Sequence, residues 1–232
     1  MATATASNPH TEFHTIREAR ERVGDVPDHR ILSYPAPGTA TANDLLDPQI
    51  TRGRGVELVD GILVEKTMGY REEVLASLIF RAISRYLDTY DLGMVVGSQA
   101  MVRFAPSLVR LPDVTFTRWD SADNPTDIEN PDGPYLEVVP DLVVEVLSES
   151  NTPREMEIKL GEYAAAGVKL VWYVDPGAKT VTVYPKGRER GKKVLGVGDT
   201  LDGGKVLPGF TLPVADIFAP RAPKATKKKG KK

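Results

Sequence analysis

Apolar positions along this chain follow two rhythms. Between residues 70 and 90, Val74, Leu75, Leu78, Ile79, Ala82, Ile83, Tyr86 and Leu87 recur at three- and four-residue spacing, one face of a long helix that Gly93 is expected to stop. Short runs rich in Val, Leu and Ile read as strands: 57–65 as a hairpin turning at Asp60-Gly61, then 94–96, 100–104, 113–116, 142–147, 168–174 and 180–184. The segment 153–166 has Pro153 in its first turn and Gly167 just past its end, the asymmetry of a helix. Strand, helix and strand over 142–174 have the length of one βαβ crossover, with neighbouring strands antiparallel or mixed. Thr41 and Asp44 predict a capped short helix ending before Arg52-Gly-Arg-Gly55, and residues 118–139 read as a surface loop.

This pattern predicts a single α/β domain over residues 39–219. Residues 1–38, polar and rich in Ala, Thr and Pro, are expected to be a flexible leader, and 220–232 a basic disordered tail. The net charge of −2 conceals that division: residues 224–232 hold six lysines and no acid, so the rest of the chain carries −8. A basic tail on an acidic body suits nucleic-acid binding by counterion release; a solubilising terminus is the plainer alternative. No apolar stretch reaches the roughly 18–20 residues that cross a bilayer, and no secretory leader is evident, so membrane association is not expected.

Cysteine is absent, which removes disulfides, thiolate nucleophiles and cysteine-bound zinc together and suits a reducing cytoplasm. His10, His14 and His29 all lie in the leader, so a catalytic metal in the domain would need oxygen ligands, favouring Mg²⁺ or Mn²⁺.

Pro-Asp-Leu-Val-Val-Glu-Val-Leu at 140–147 places Glu145 inside a run that packs like a core strand, and Leu-Pro-Asp-Val-Thr-Phe at 111–116 leads one acid, Asp113, into another. A buried carboxylate costs several kcal/mol unless a cation or donor compensates it. Asp113 and Glu145 are therefore candidate metal ligands, with the Val146 backbone carbonyl as a third oxygen. Lys159 would orient a water or stabilise a phosphorane. These are the parts of a Mg²⁺-dependent phosphodiesterase site. The plainer alternatives are a Glu145–Lys159 structural pair, a solvent-exposed i,i+4 pair between Glu155 and Lys159, and Tyr163 as packing. Asp141, at a strand edge after a proline, reads as structural. Gly187–Lys193 lacks the spacing of a phosphate loop and reads as part of a hairpin.

The motifs Glu57-Leu-Val-Asp-Gly, Pro112-Asp113, Pro140 to Ser148, Lys159-Leu-x-x-Tyr163 and Tyr173-Val-Asp-Pro176, in this order over residues 41–218, resemble the Uma-two family of bacterial endonucleases. That family is placed in the restriction endonuclease-like PD-(D/E)XK superfamily. The resemblance implies an αβββαβ core with a mixed central sheet flanked by helices, a Mg²⁺-dependent site and a DNA substrate. By position Asp113 matches the Pro-Asp acid, Glu145 the strand acid, and Lys159 a lysine moved onto the following helix, since Leu147 stands where the superfamily lysine would. Glu57 resembles the N-terminal acid, which the resemblance implies is a further catalytic residue, supporting the metal ligands or holding a second ion. Glu155 replaces a helix Asp, and Tyr70 and Arg71 stand where a histidine often does. A homodimer is expected if both strands of a duplex are cut. A catalytically inactive nucleic-acid-binding module and a purely structural or interaction protein are the alternatives.

Overall fold

The structure, a computed structural model, describes Phe13, residues 15–129 and residues 133–219. His10, His14 and the basic tail lie outside those residues. Helix α1 (Ile16–Arg22) is followed, after a 3₁₀ turn at Asp28–Arg30, by a second 3₁₀ turn at Ala42–Leu46 and by α2 (Pro48–Thr51). Thr41 and Asp44 form the anticipated capping box, and Arg52 ends α2 with φ of 52°. The hairpin is β1 (Val56–Val59) and β2 (Ile62–Glu65). Its two-residue turn sets the register Val59↔Ile62 through Val56↔Glu65.

Next come α3 (Tyr70–Leu87), β3 (Gly93–Gly97), β4 (Val102–Ala105), β5 (Leu108–Arg110) and β6 (Val114–Arg118). Helix α3 closes at Asp88, short of Gly93, which instead lies in β3 against β6. A Cβ on Gly93 would stand 2.1 Å from the Thr117 carbonyl oxygen, so the residue serves close strand approach rather than helix termination. The remaining elements are α4 (Thr126–Glu129), β7 (Leu142–Val146), α5 (Pro153–Ala166), β8 (Leu170–Asp175), β9 (Thr180–Pro185), β10 (Lys193–Leu195), β11 (Thr200–Gly203), β12 (Leu207–Pro213) and α6 (Val214–Phe218). The Thr152 hydroxyl accepts from the Glu155 N–H at the start of α5, and Gly167 (φ 96°) ends it.

The main sheet has six strands in the order β10-β9-β8-β7-β6-β3. Only β7 and β8 run parallel, joined by α5; every other pair is antiparallel. In chain order, α3-β3-β6-β7-α5-β8 is the αβββαβ core. A second sheet, β2-β1-β5-β4, joins the hairpin that precedes α3 to the β4–β5 hairpin inserted between β3 and β6. The run at 100–104 thus belongs to this second sheet, and β5 has no counterpart among the anticipated strands.

Alternation sorts the main sheet's side chains. Val114, Phe116, Leu142, Val144, Val146, Trp172 and Val174 pack against Leu75, Ile79 and Ile83 of α3. Each fully buried aliphatic chain of this kind contributes roughly 1.5–3 kcal/mol. The opposite face meets α5 through Val143, Val171, Tyr173, Met156, Leu160 and Tyr163. Asp113 and Glu145 have the parity of this second face, so both acids look toward α5.

Described residues of the anticipated flexible leader are instead folded onto the domain. Ala19, Val23 and Val26 pack on Val59, Ile62, Val64 and Leu108 of the second sheet. Thr15 caps α1 by accepting from the Glu18 N–H. The signals were a cap three residues before a glutamate and apolar residues at 19, 23 and 26, outweighed by the segment's polar composition. Gly24 (φ 82°) allows the contact with α5, because a Cβ there would lie 2.4 Å from the Glu155 backbone.

Candidate active site

Asp113 sits where the chain crosses between the sheets, one residue before β6. The register of β6 on β7, Val114↔Val144, continues to set Asp113 opposite Glu145. The Asp113 N–H donates to the Val144 carbonyl at 3.1 Å, and the Val146 N–H donates to Asp113 Oδ2 at 2.6 Å. On α5, four-residue spacing places Glu155, Lys159 and Tyr163 along one buried stripe facing these acids. Glu57 enters from β1 of the second sheet. All four candidate side chains are buried: Glu57 at 0% exposure, Asp113 at 1%, Lys159 at 2% and Glu145 at 3%.

Lys159 Nζ lies 3.2 Å from Glu57 Oε1 and 3.6 Å from Glu145 Oε1. The Tyr163 hydroxyl donates to Glu145 Oε1, so this tyrosine is more than packing. Glu57 is fully engaged: Oε1 also accepts from the Leu111 N–H at 3.1 Å, and Oε2 from Arg110 at 2.8 Å. Arg110 in turn binds Glu162 of α5 at 2.5 Å. Glu155 does not form an exposed pair with Lys159. It is buried and holds Arg30 through two bonds of 2.8 and 3.0 Å. Asp141 stands apart, accepting from the Arg118 N–H and the Ser121 hydroxyl and pairing with Lys169 at 2.5 Å.

Lys66, which no sequence motif singled out, completes the cluster. Its Nζ lies 2.6 Å from Asp113 Oδ1 and 3.6 Å from Glu145 Oε2, and it donates to the Leu111 carbonyl. Extending the hairpin register would have found it. The Lys66 N–H bonds the Gly55 carbonyl, so Lys66 lies two positions beyond Val64, the partner of Glu57, on the same face. Arg110 follows likewise, because Leu58↔Val109 continues to bring Arg110 opposite Glu57.

The charges set one another's proton affinities. Burial pushes Glu57 up, but Lys159, Arg110 and Lys66 together hold it well below the usual carboxylate range. Glu145 goes the other way: burial raises it, with Asp113 and Glu57 adding to the rise, and Lys159 and Lys66 only partly oppose them. Burial alone would lower Lys66, yet Glu145, Asp113 and Glu57 raise it well above an ordinary lysine. Burial and the neighbouring Glu145 push the Tyr163 hydroxyl far up, keeping it a donor.

Asp113 and Glu145 fit a hard divalent cation. Their ligating atoms are oxygens, and one ammonium already stands between them. The contact of Lys66 with Asp113 Oδ1 lies outside hydrogen-bond geometry, which leaves that buried oxygen without a directed donor. Asp141 Oδ1 shares this condition, but its partner Lys169 is more than half exposed. No group of three or more His, Asp or Glu side chains is placed to hold a metal among the described residues. The Val146 carbonyl and waters would therefore complete the shell.

Residues 43–215 match the family model Uma2, described as "Putative restriction endonuclease". The chain belongs to the Uma2 family. A crystal structure of a putative nuclease belonging to DUF820 from Anabaena variabilis is similar at a TM-score of 0.61 and 17% identity, over 71% of this chain and 90% of that one. At that identity the likeness establishes a shared fold. No curated protein matches the chain. Uma2 membership and this fold together support a nuclease. No helix among the described residues is long and apolar enough to cross a membrane.

Proposed function

We propose that this Uma2 protein is a Mg²⁺-dependent endonuclease hydrolysing phosphodiester bonds of DNA, with Mn²⁺ able to replace Mg²⁺. One observation carries the reading: a single ammonium lies within ion-pair distance of both Asp113 and Glu145. Two buried acids at paired strand positions thus share one cation-sized space, in a chain whose family is described as "Putative restriction endonuclease".

Asp113 and Glu145, with the Val146 carbonyl, would hold the ion. A bound Mg²⁺ supplies an acidified water and a clamp on phosphate oxygens. The protein's own residues prepare that place. Tyr163 and Lys159 fix Glu145 Oε1 and leave Oε2 toward the shared space. Glu57 holds the Lys159 ammonium in position and is itself locked by Arg110 and the Leu111 N–H. Cutting both strands of a duplex takes two such sites, so two copies of the chain are expected on one DNA.

Purified protein should convert supercoiled plasmid to open and linear forms with Mg²⁺ or Mn²⁺, and not in EDTA. Glu145→Gln should lower cutting by about 100-fold, about 2.7 kcal/mol, with its melting temperature held. Equal cutting in EDTA or by the variant would overturn the reading. Retarded but uncut DNA would point to a binding module.

A further inference from the structure

Lys66 is the most exposed charged group of the site, at 10% against 2% for Lys159 and 1% for Asp113. Lys66 lines a cavity of about 330 Å³, whose wall also includes Gly69, Tyr70, Ser98, Gln99 and Leu111. Lys66 is thus the residue that both lines this cavity and pairs with Asp113 and Glu145. Glu73 also lines it, accepting a hydrogen bond from Ser98 at 3.1 Å. Tyr70, 88% exposed, also lines it. A larger groove of about 640 Å³ runs beside α5, but Glu72, Glu149, Glu157, Asp175 and Glu189 line it against one arginine, Arg71. That balance repels a phosphodiester.

We propose that the cavity beside Lys66 is the subsite for the phosphate to be cut. The Lys66 ammonium, which here takes a cation's place between Asp113 and Glu145, turns to that phosphate when a divalent ion binds. The inference rests on the acid pair being a metal site. Lysine is suited to the exchange because its ammonium is a compact charge on a flexible stem. A divalent ion cannot share the space with it, since like charges a few ångströms apart repel strongly. Lys159, held by Glu57 and shut away from the cavity, cannot serve the phosphate in this way. It is a positioning residue for Glu145.

Mn²⁺ binding measured by calorimetry without DNA separates the possibilities. Lys66→Met, having no ammonium to displace, should bind Mn²⁺ on the order of tenfold more tightly than wild type. It should melt lower than wild type in EDTA, recover with Mn²⁺, and still cut plasmid about 100-fold more slowly. Lys159→Met should show no such tightening. Should Lys66→Met fail to fold in EDTA, Lys66→Arg supplies the test. Its fork pairs more firmly with two carboxylates, so Mn²⁺ should bind about tenfold more weakly. Unchanged or weaker Mn²⁺ binding by Lys66→Met, or unchanged binding by Lys66→Arg, would overturn the exchange. Tighter Mn²⁺ binding with full cutting would overturn the phosphate contact. No Mn²⁺ binding by wild type or any variant would sink the metal reading itself.

Discussion

Two buried ion clusters hang from helix α5 one turn apart, and they are built in opposite ways. Around Glu155, both carboxylate oxygens receive directed bonds from Arg30, and Asn151 adds a third at 3.0 Å. Two further Arg30 donors reach the Glu65 and Ser150 carbonyls at 2.9 and 3.0 Å. Around Glu145 two lysines and Tyr163 converge, and one of the lysines, Lys66, stands off the hydrogen-bond direction of Asp113 and beside a cavity. A closed, satisfied network ties segments together; a network with a displaceable cation can exchange it. Arg30–Glu155 therefore fastens the N-terminal segment to α5, and the Asp113–Glu145 pair is the one the proposed chemistry would use.

Removing Arg30 is the harshest way to break that contrast. Arg30→Ala leaves Glu155 buried without its cation and should cost about 3–5 kcal/mol in urea unfolding. Cutting by the folded fraction should change by only a fewfold at low temperature. Loss of cutting in fully folded Arg30→Ala would erase the distinction.

Acid should reach the same pair more gently. Burial raises the Glu155 carboxyl, but the Arg30 bonds, Lys159 and Asn151 more than offset it and hold it below its ordinary 4.5. Its contribution to stability is full above that value and is lost as pH falls through the lowered folded value. Wild type should lose stability on acidification below about pH 4.5 more steeply than Arg30→Ala, as followed by melting temperature against pH. Parallel acid limbs would remove Glu155 from the account.

The smallest change probes the other cluster. Tyr163→Phe deletes one donor to Glu145 and should cost about 1 kcal/mol of stability. Cutting should fall by less than in Glu145→Gln. A loss as large as that of Glu145→Gln would make Tyr163 part of the reacting site rather than support for its carboxylate.

Local chemistry written in the chain determined a good deal of this molecule. Thr152, Pro153 and Gly167 bound α5, Asp60-Gly61 sets the hairpin register, and strand alternation turns Glu145 away from the α3 core. Asp113 and Glu145 were legible because acids inside apolar runs need compensation, and the order of motifs carried the family. These are short-range signals, with cause and effect within a few residues. Tertiary structure decided which charge meets which. Lys66 follows a strand 47 residues before Asp113, Arg30 meets a glutamate 125 residues away, and Arg110 joins Glu57 from the neighbouring strand of the second sheet, 53 residues away in the chain. Lysines and arginines favour the surface by composition, so Lys66 and Arg30 are not marked as buried by their own neighbours, and Arg110, between Val109 and Leu111, is marked only as needing some partner. Only the insertion of the second sheet against α5 removes water from them, and with water gone each cation and carboxylate must find its counterpart.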